Sequence, residues 1–140
     1  MRTLLLMRGA MGSGKSQFIK DNKLQPYTLC ADDFRTVICN PILSLDGEFS
    51  ISQKNDRLAW GMLLQCLEER GDFTVIDATH STQKMLNNYK ALAEMYKYTI
   101  FVKQLDVPLE ICLVRNRTRD KYKFVPEDAI RRCHTLIDQT

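Results

Sequence analysis

Gly9-Ala10-Met11-Gly12-Ser13-Gly14-Lys15-Ser16 decides how this chain is read. The octet fits G-x-x-x-x-G-K-S/T, the P-loop pattern. It follows the apolar run Leu4-Leu5-Leu6-Met7 and precedes an amphipathic stretch from Lys15 to Lys20, so strand, glycine loop and helix stand in the required order. Glycines let backbone N–H groups turn inward around a phosphate, and the start of a helix adds partial positive charge. The pattern therefore predicts a cradle made by Gly9, Gly12, Ser13 and Gly14 for the phosphates of ATP or another nucleoside triphosphate. Within it Lys15 reaches the β- and γ-phosphates, and the Ser16 hydroxyl ligates Mg²⁺.

Working outward, apolar strand patterns alternate with helical ones. Strands are expected at Thr3 to Met7, Tyr27 to Cys30, Phe73 to Ile76 (ending in Asp77) and Tyr98 to Leu105. Asp32 to Asn40 reads as a helix start stopped by Pro41. Leu43 to Phe49 reads as a loop around the Asp46-Gly47 turn signal. Ser52 to Arg70 is a long amphipathic helix with Leu58, Met62 and Cys66 on one face, and Gly71 stands behind its end. Thr82 to Tyr96 is helical, Pro108 opens a helix to about Arg117, and Pro126 opens the last one. The alternation predicts an α/β fold, a four-stranded parallel sheet covered by helices in three layers.

The 140 residues make one domain. The last helical pattern runs to the end of the sequence, which suggests a domain taken from a longer chain. The net charge of +3 is small, but Arg115 to Lys123 holds five basic residues against the one acid Asp120, a patch suited to an anionic partner. The five cysteines (30, 39, 66, 112 and 133) show no C-x-x-C spacing, so neither a disulfide framework nor a zinc site is expected. They read as small buried hydrophobes, as Trp60, Met62, Met85 and Met95 read as core. A reducing, cytoplasmic location and no membrane association are expected. The apolar start is too short for a signal peptide, and no segment reaches the length of a membrane span.

Three further groups carry candidate chemistry. Asp32-Asp33-Phe34-Arg35 follows the second strand, at the strand ends where ligands bind in open parallel sheets. Asp32 can accept the proton of an attacking hydroxyl, and Arg35 shares its helix face. Aspartate is also a common helix cap, a role assigned to Asp33. Asp77 ends an apolar strand, the form of a carboxylate that positions Mg²⁺. Arg115 and Arg119 are four apart and can face one cleft, where a guanidinium stabilises transferring phosphate. Arg117 points elsewhere, toward substrate or water. His80 reads as a residue of a surface loop.

Taken together, these residues resemble the 5′-hydroxyl polynucleotide kinases of phages and bacteria. The likeness runs through Gly9 to Ser16, Asp32-Asp33-Phe34-Arg35, Val75 to Thr79, Asp106-Val107-Pro108, Arg115-Asn116 through Arg119, and Phe124-Val125-Pro126, and covers nearly the whole chain. The resemblance implies a P-loop kinase fold with a basic lid near the C-terminus. It implies transfer of a γ-phosphate to the 5′-hydroxyl of RNA or DNA in end repair. Asp32 is then the general base, Arg35 holds an acceptor phosphate, and Asp77 and Thr79 serve the acceptor side or, for Asp77, the metal shell. Arg119, with Arg115, lies over the donor phosphates, and Val125 packs near the donor base. Met11 and Gln17 depart from the family's frequent proline and threonine without removing a needed group. The segment Asp120 to Phe124 is longer than in the phage enzymes, which loosens the assignment of Arg119. No D-x-D-G-T phosphatase motif is present, so any phosphatase or ligase partner lies outside this chain.

Two other readings compete. A small-molecule kinase for a sugar, nucleoside or antibiotic uses similar Asp and Arg placement. A nucleotide switch needs a guanine motif, and Asn22-Lys23-Leu24-Gln25 lacks its aspartate. It also leaves Asp32 and Arg35 without a role. No motif reports contact to a 2′-hydroxyl or to a particular donor base, so RNA against DNA and ATP against GTP stay open.

Overall fold

The apolar start forms β1 (Arg2–Arg8), in which Leu4, Leu6 and Met7 are fully buried. The computed structural model describes residues 2–30, 33–34, 37, 42–43, 49–50, 56–119 and 125–139. After β1 come α1 (Lys15–Asp21), a short 3-10 turn (Gln25–Tyr27), β2 (Thr28–Leu29), β3 (Ile42–Leu43) and β4 (Phe49–Ser50). They are followed by α2 (Asp56–Glu69), β5 (Phe73–Asp77), α3 (Gln83–Tyr96), β6 (Tyr98–Gln104), α4 (Leu109–Arg117) and α5 (Glu127–Asp138).

β2, β5, β1 and β6 lie in that order in one parallel sheet. Parallel neighbours need long crossovers, which the helices supply. β5 inserts between β1 and β2, whereas β6 joins the opposite edge of β1. The progression across the sheet therefore reverses around β1, and a crevice forms beyond the carboxyl ends of the strands. The register places Asp77 beside Met7 and Gln104 beside Arg8, both at that end.

Alternation along β1 sends its side chains to two faces. Leu4 and Leu6 join Ile76 against Leu63, Leu67, Tyr89 and Leu92, under α2 and α3. Met7 and Val75 pack on the other side against Ile19 of α1. A third cluster, Ala10, Cys112, Leu113, Ile130, Cys133 and Ile137, ties α4 and α5 to the glycine loop. Helices thus cover both faces, as the alternating pattern predicts. Among the described residues no helix is long and apolar enough to cross a membrane.

Several expectations are corrected. The buried stripe of α2 is Ala59, Leu63 and Leu67, and Leu58 is exposed. Adjacent stripes of this helix are both apolar, so periodicity alone does not choose between them. Met95 is exposed rather than core. Within the expected loop from Leu43 to Phe49, β3 and β4 pair antiparallel, Leu43 opposite Phe49. Asp33, Phe34 and Val37 are helical as expected, while the start of the long helix at Ser52 lies outside the described residues. Cys112 and Cys133 are buried, Cys30 and Cys66 are half-buried, and all four are free thiols.

Arg2 joins the layers. Its guanidinium donates to the carbonyls of Tyr96 at 3.0 Å and Arg70 at 2.8 Å, and to the Tyr98 hydroxyl at 2.7 Å, with the Leu67 carbonyl as a further acceptor. It also lies over the Tyr98 ring, 4.2 Å from the centroid. One cation therefore serves carbonyls at the C-terminal ends of both α2 and α3, where acceptors lack intrahelical partners and the helix dipoles are negative. Arg2→Ala is expected to cost about 2–3 kcal/mol and to lower the melting temperature by about 5–10 °C. Calorimetry checks this, and an unchanged melting temperature would refute it.

Candidate active site

The loop between β1 and α1 turns through two left-handed glycines, Gly12 at φ 85° and Gly14 at φ 95°. A Cβ on Gly12 would stand 2.6 Å from the Cys112 carbonyl oxygen, and one on Gly9 would run into the Ser13 hydroxyl. The glycines thus answer both to backbone angle and to close approach. The Ser13 amide donates to the Ala10 carbonyl at 3.0 Å, and the buried Ser13 Oγ has no hydrogen-bond partner. Ser16 is exposed in the first turn of α1.

Lys15 folds back over this loop. Its Nζ donates to the carbonyls of Gly9 at 2.8 Å and Ala10 at 3.1 Å. Burial pushes the ammonium below its ordinary range. The Asp77 carboxylate pulls it back up, and the Arg119 guanidinium opposes it. Lys15, Asp77 and Arg119 therefore share one electrostatic neighbourhood. Arg115 enters from α4, and its Nη1 donates to the Gly12 carbonyl at 3.1 Å. α4 ends at Arg117, and the Arg119 amide turns back to the Asn116 carbonyl at 3.2 Å, just beyond the helix end.

The far wall is the segment after β5. The Gly9 amide donates to the Thr79 carbonyl at 3.2 Å, which sets Thr79 beside the loop entrance. The Cys133 thiol, hydrogen-bonded to the side chains of Thr79 and Ser81, is pushed up by burial, as is that of Cys112. His80 is not on the surface. It is fully buried, takes a left-handed φ of 48°, and stacks edge-on against Tyr89 with ring centroids 5.0 Å apart. Arg8, also buried, donates from Nε to the His80 carbonyl at 2.9 Å and from Nη1 to Gln104 Oε1 at 2.9 Å.

Asn116 is a further residue of the site with no role assigned from the sequence. It is fully buried, and its side-chain amide pairs both ways with the backbone of Val125. Asn116 Nδ2 donates to the Val125 carbonyl at 2.7 Å, and the Val125 amide donates to Asn116 Oδ1 at 3.1 Å. Val125 is thereby fixed against the cluster that contains Ala10 and Met11. Arg117 pairs with Glu127 at 2.8 Å on the exposed side. Asp32, Arg35 and residues 120–124 lie outside the described residues. The structure thus brings together Gly9, Gly12, Ser13, Gly14, Lys15, Ser16, Asp77, Thr79, Arg115, Arg119 and Val125.

Residues 4–139 match the AAA domain family. No curated protein matches the sequence. Among solved structures, a chain in the structure of the Pnkp1/Rnl/Hen1 RNA repair complex is 26% identical, with a TM-score of 0.73 over 99% of this chain and 45% of that one. A chain of the AvrRxo1-ORF1:AvrRxo1-ORF2 complex with ATP is 17% identical, with a TM-score of 0.71 over 98% of this chain and 47% of that one. A gluconokinase from Sinorhizobium meliloti 1021 is 13% identical, with a TM-score of 0.62 over 98% of this chain and 77% of that one. The last two likenesses concern the fold alone. The chain spans less than half the length of the first two chains it matches. It belongs to the AAA domain family and has a P-loop kinase-like α/β fold.

Proposed function

We propose that this domain transfers the γ-phosphate of a nucleoside triphosphate to the 5′-hydroxyl end of a polynucleotide. The observation that carries the reading is the convergence of Lys15 and Arg115 on one glycine loop, with Asp77 at the end of the neighbouring strand. The polynucleotide acceptor is supported by the sequence resemblance and by the likeness to a chain of an RNA repair complex.

The residues fit a nucleotide. The left-handed turns at Gly12 and Gly14 shape the loop, and the buried Ser13 Oγ is left for a ligand oxygen. Mg²⁺ needs no dedicated protein cage, since one or two side-chain oxygens and the substrate phosphates suffice, and Ser16 with Asp77 is such a set. When bound, Mg²⁺ neutralises phosphate charge. Lys15 exchanges its two carbonyl partners for the β- and γ-phosphates. Asp32 takes the proton of the 5′-hydroxyl as its oxygen bonds to the γ-phosphorus and the bond to the β-phosphate oxygen breaks. Arg35 and Thr79 orient the acceptor strand. Arg115 and Arg119 offset charge on the transferring group, and Val125 packs beside the donor base.

The fold likeness to a gluconokinase favours a second reading, a small-molecule acceptor. The test mixes the protein with Mg²⁺, γ-labelled ATP or GTP, and 5′-hydroxyl RNA and DNA oligonucleotides against small alcohols, including gluconate. Label at the 5′ end supports the proposal and ranks the acceptors. Label only on a small alcohol rejects it for the second reading.

A further inference from the structure

His80 is costly to the fold in two ways. A non-glycine residue in the left-handed region carries backbone strain. Its ring is fully buried with Nε2 unpartnered, which costs desolvation energy. The return is a contact: His80 Nδ1 is hydrogen-bonded to the Met7 carbonyl. A carbonyl only accepts, so the proton sits on Nδ1 and Nε2 is a bare acceptor. Burial pushes the ring's pKa down, which keeps that neutral form.

The contact has a direction. Met7 is the β1 residue in register with Asp77, and it lies two residues before Gly9. His80 lies three residues after Asp77. The bond therefore closes the segment 77–80 back onto the strand that launches the glycine loop. Gly9 to Thr79 and Arg8 to His80 reinforce the same closure. Asp77 is the last residue of β5, so these bonds hold the backbone immediately beyond it.

We infer that His80 is a positioning residue: by donating from Nδ1 to the Met7 carbonyl it sets where the Asp77 carboxylate stands relative to Lys15 and a bound cation. This rests on Asp77 serving the Mg²⁺ shell. Partners that orient a metal-binding side chain are worth about 10–100-fold in metal affinity. Two variants separate the hydrogen bond from the backbone angle. His80→Asn keeps a donor and tolerates the left-handed conformation, whereas His80→Gly relieves the strain but has no donor.

The readout is the gain in ADP affinity on adding Mg²⁺, measured by calorimetry at a temperature where circular dichroism shows each variant folded. It needs no acceptor, so it stands if the polynucleotide reading fails in the labelling assay. His80→Asn is expected to retain the gain and His80→Gly to lose it by about tenfold, with Mg²⁺-free affinity held within about threefold. In an Asp77→Asn background, His80→Gly is expected to cost nothing further. Equal gains in the two variants, an equal loss of Mg²⁺-free affinity, or no gain in the wild type overturns the inference. If His80→Gly is unfolded throughout, His80→Asn decides alone, and a loss of the gain in that variant overturns it.

Discussion

Lys15→Ala is expected to lower phosphoryl transfer by about 10²–10³-fold or more, the cost of removing a preorganised positive group from a developing anionic charge. The structure sharpens that expectation. Burial disfavours the charged ammonium, and the Gly9 and Ala10 carbonyls and the nearby Asp77 work against that penalty. Phosphate oxygens are stronger partners than neutral carbonyls, so bound nucleotide relieves a cost that the free protein carries. Removing the side chain leaves both carbonyls facing the space the ammonium held, which is polar and roomy enough for a water to enter. The melting temperature of the free protein is therefore expected to hold within about 3 °C while transfer is lost. Steady-state kinetics with scanning calorimetry checks both halves. Activity within about tenfold of the parent contradicts the role of Lys15.

Asp32→Asn is expected to lower the rate of chemistry by about 10²–10⁴-fold while leaving nucleotide affinity near that of the parent. The amide has the size of the carboxylate, but it takes up no proton. A base acts only once the acceptor hydroxyl is present, so the loss belongs in kcat rather than in binding of the donor. Single-turnover kinetics beside nucleotide titration separates the two. A parallel loss of donor binding identifies Asp32 as a structural cap instead.

Much of the fold was legible because its signals are local. Phe73 to Ile76 is apolar and ends in a charge, and β5 spans Phe73–Asp77. Thr82 caps α3 by accepting from the Met85 amide, and Pro108 and Pro126 stand immediately before α4 and α5. The glycine loop was legible because its spacing encodes backbone geometry. What failed depends on packing across the molecule. The choice between two apolar stripes of α2 is made by the sheet it covers. β3 and β4 are two residues each, too short for an alternation to show. The burial of His80 follows from the Met7 carbonyl, 73 residues away, and no local pattern announces it. A sign was present in Arg8, a cation closing an apolar strand, which needs partners when buried. Arg117 faces outward because Glu127 stands ready ten positions on, across a segment whose path the sequence does not declare.

The pairing of Asn116 with the backbone of Val125 has a consequence for variation. One side chain imitates a rung of a strand ladder, so both ends of the intervening stretch are pegged by a contact that ignores what lies between. Each doubling of such a stretch adds only about 0.6 kcal/mol of closure entropy. The five residues from Asp120 to Phe124 thus make up a cassette that evolution or an engineer can lengthen, shorten or recharge while Arg115 and Val125 keep their places and Arg119 is left unchanged. Length and charge can then drift in the cassette without the donor side having to be rebuilt.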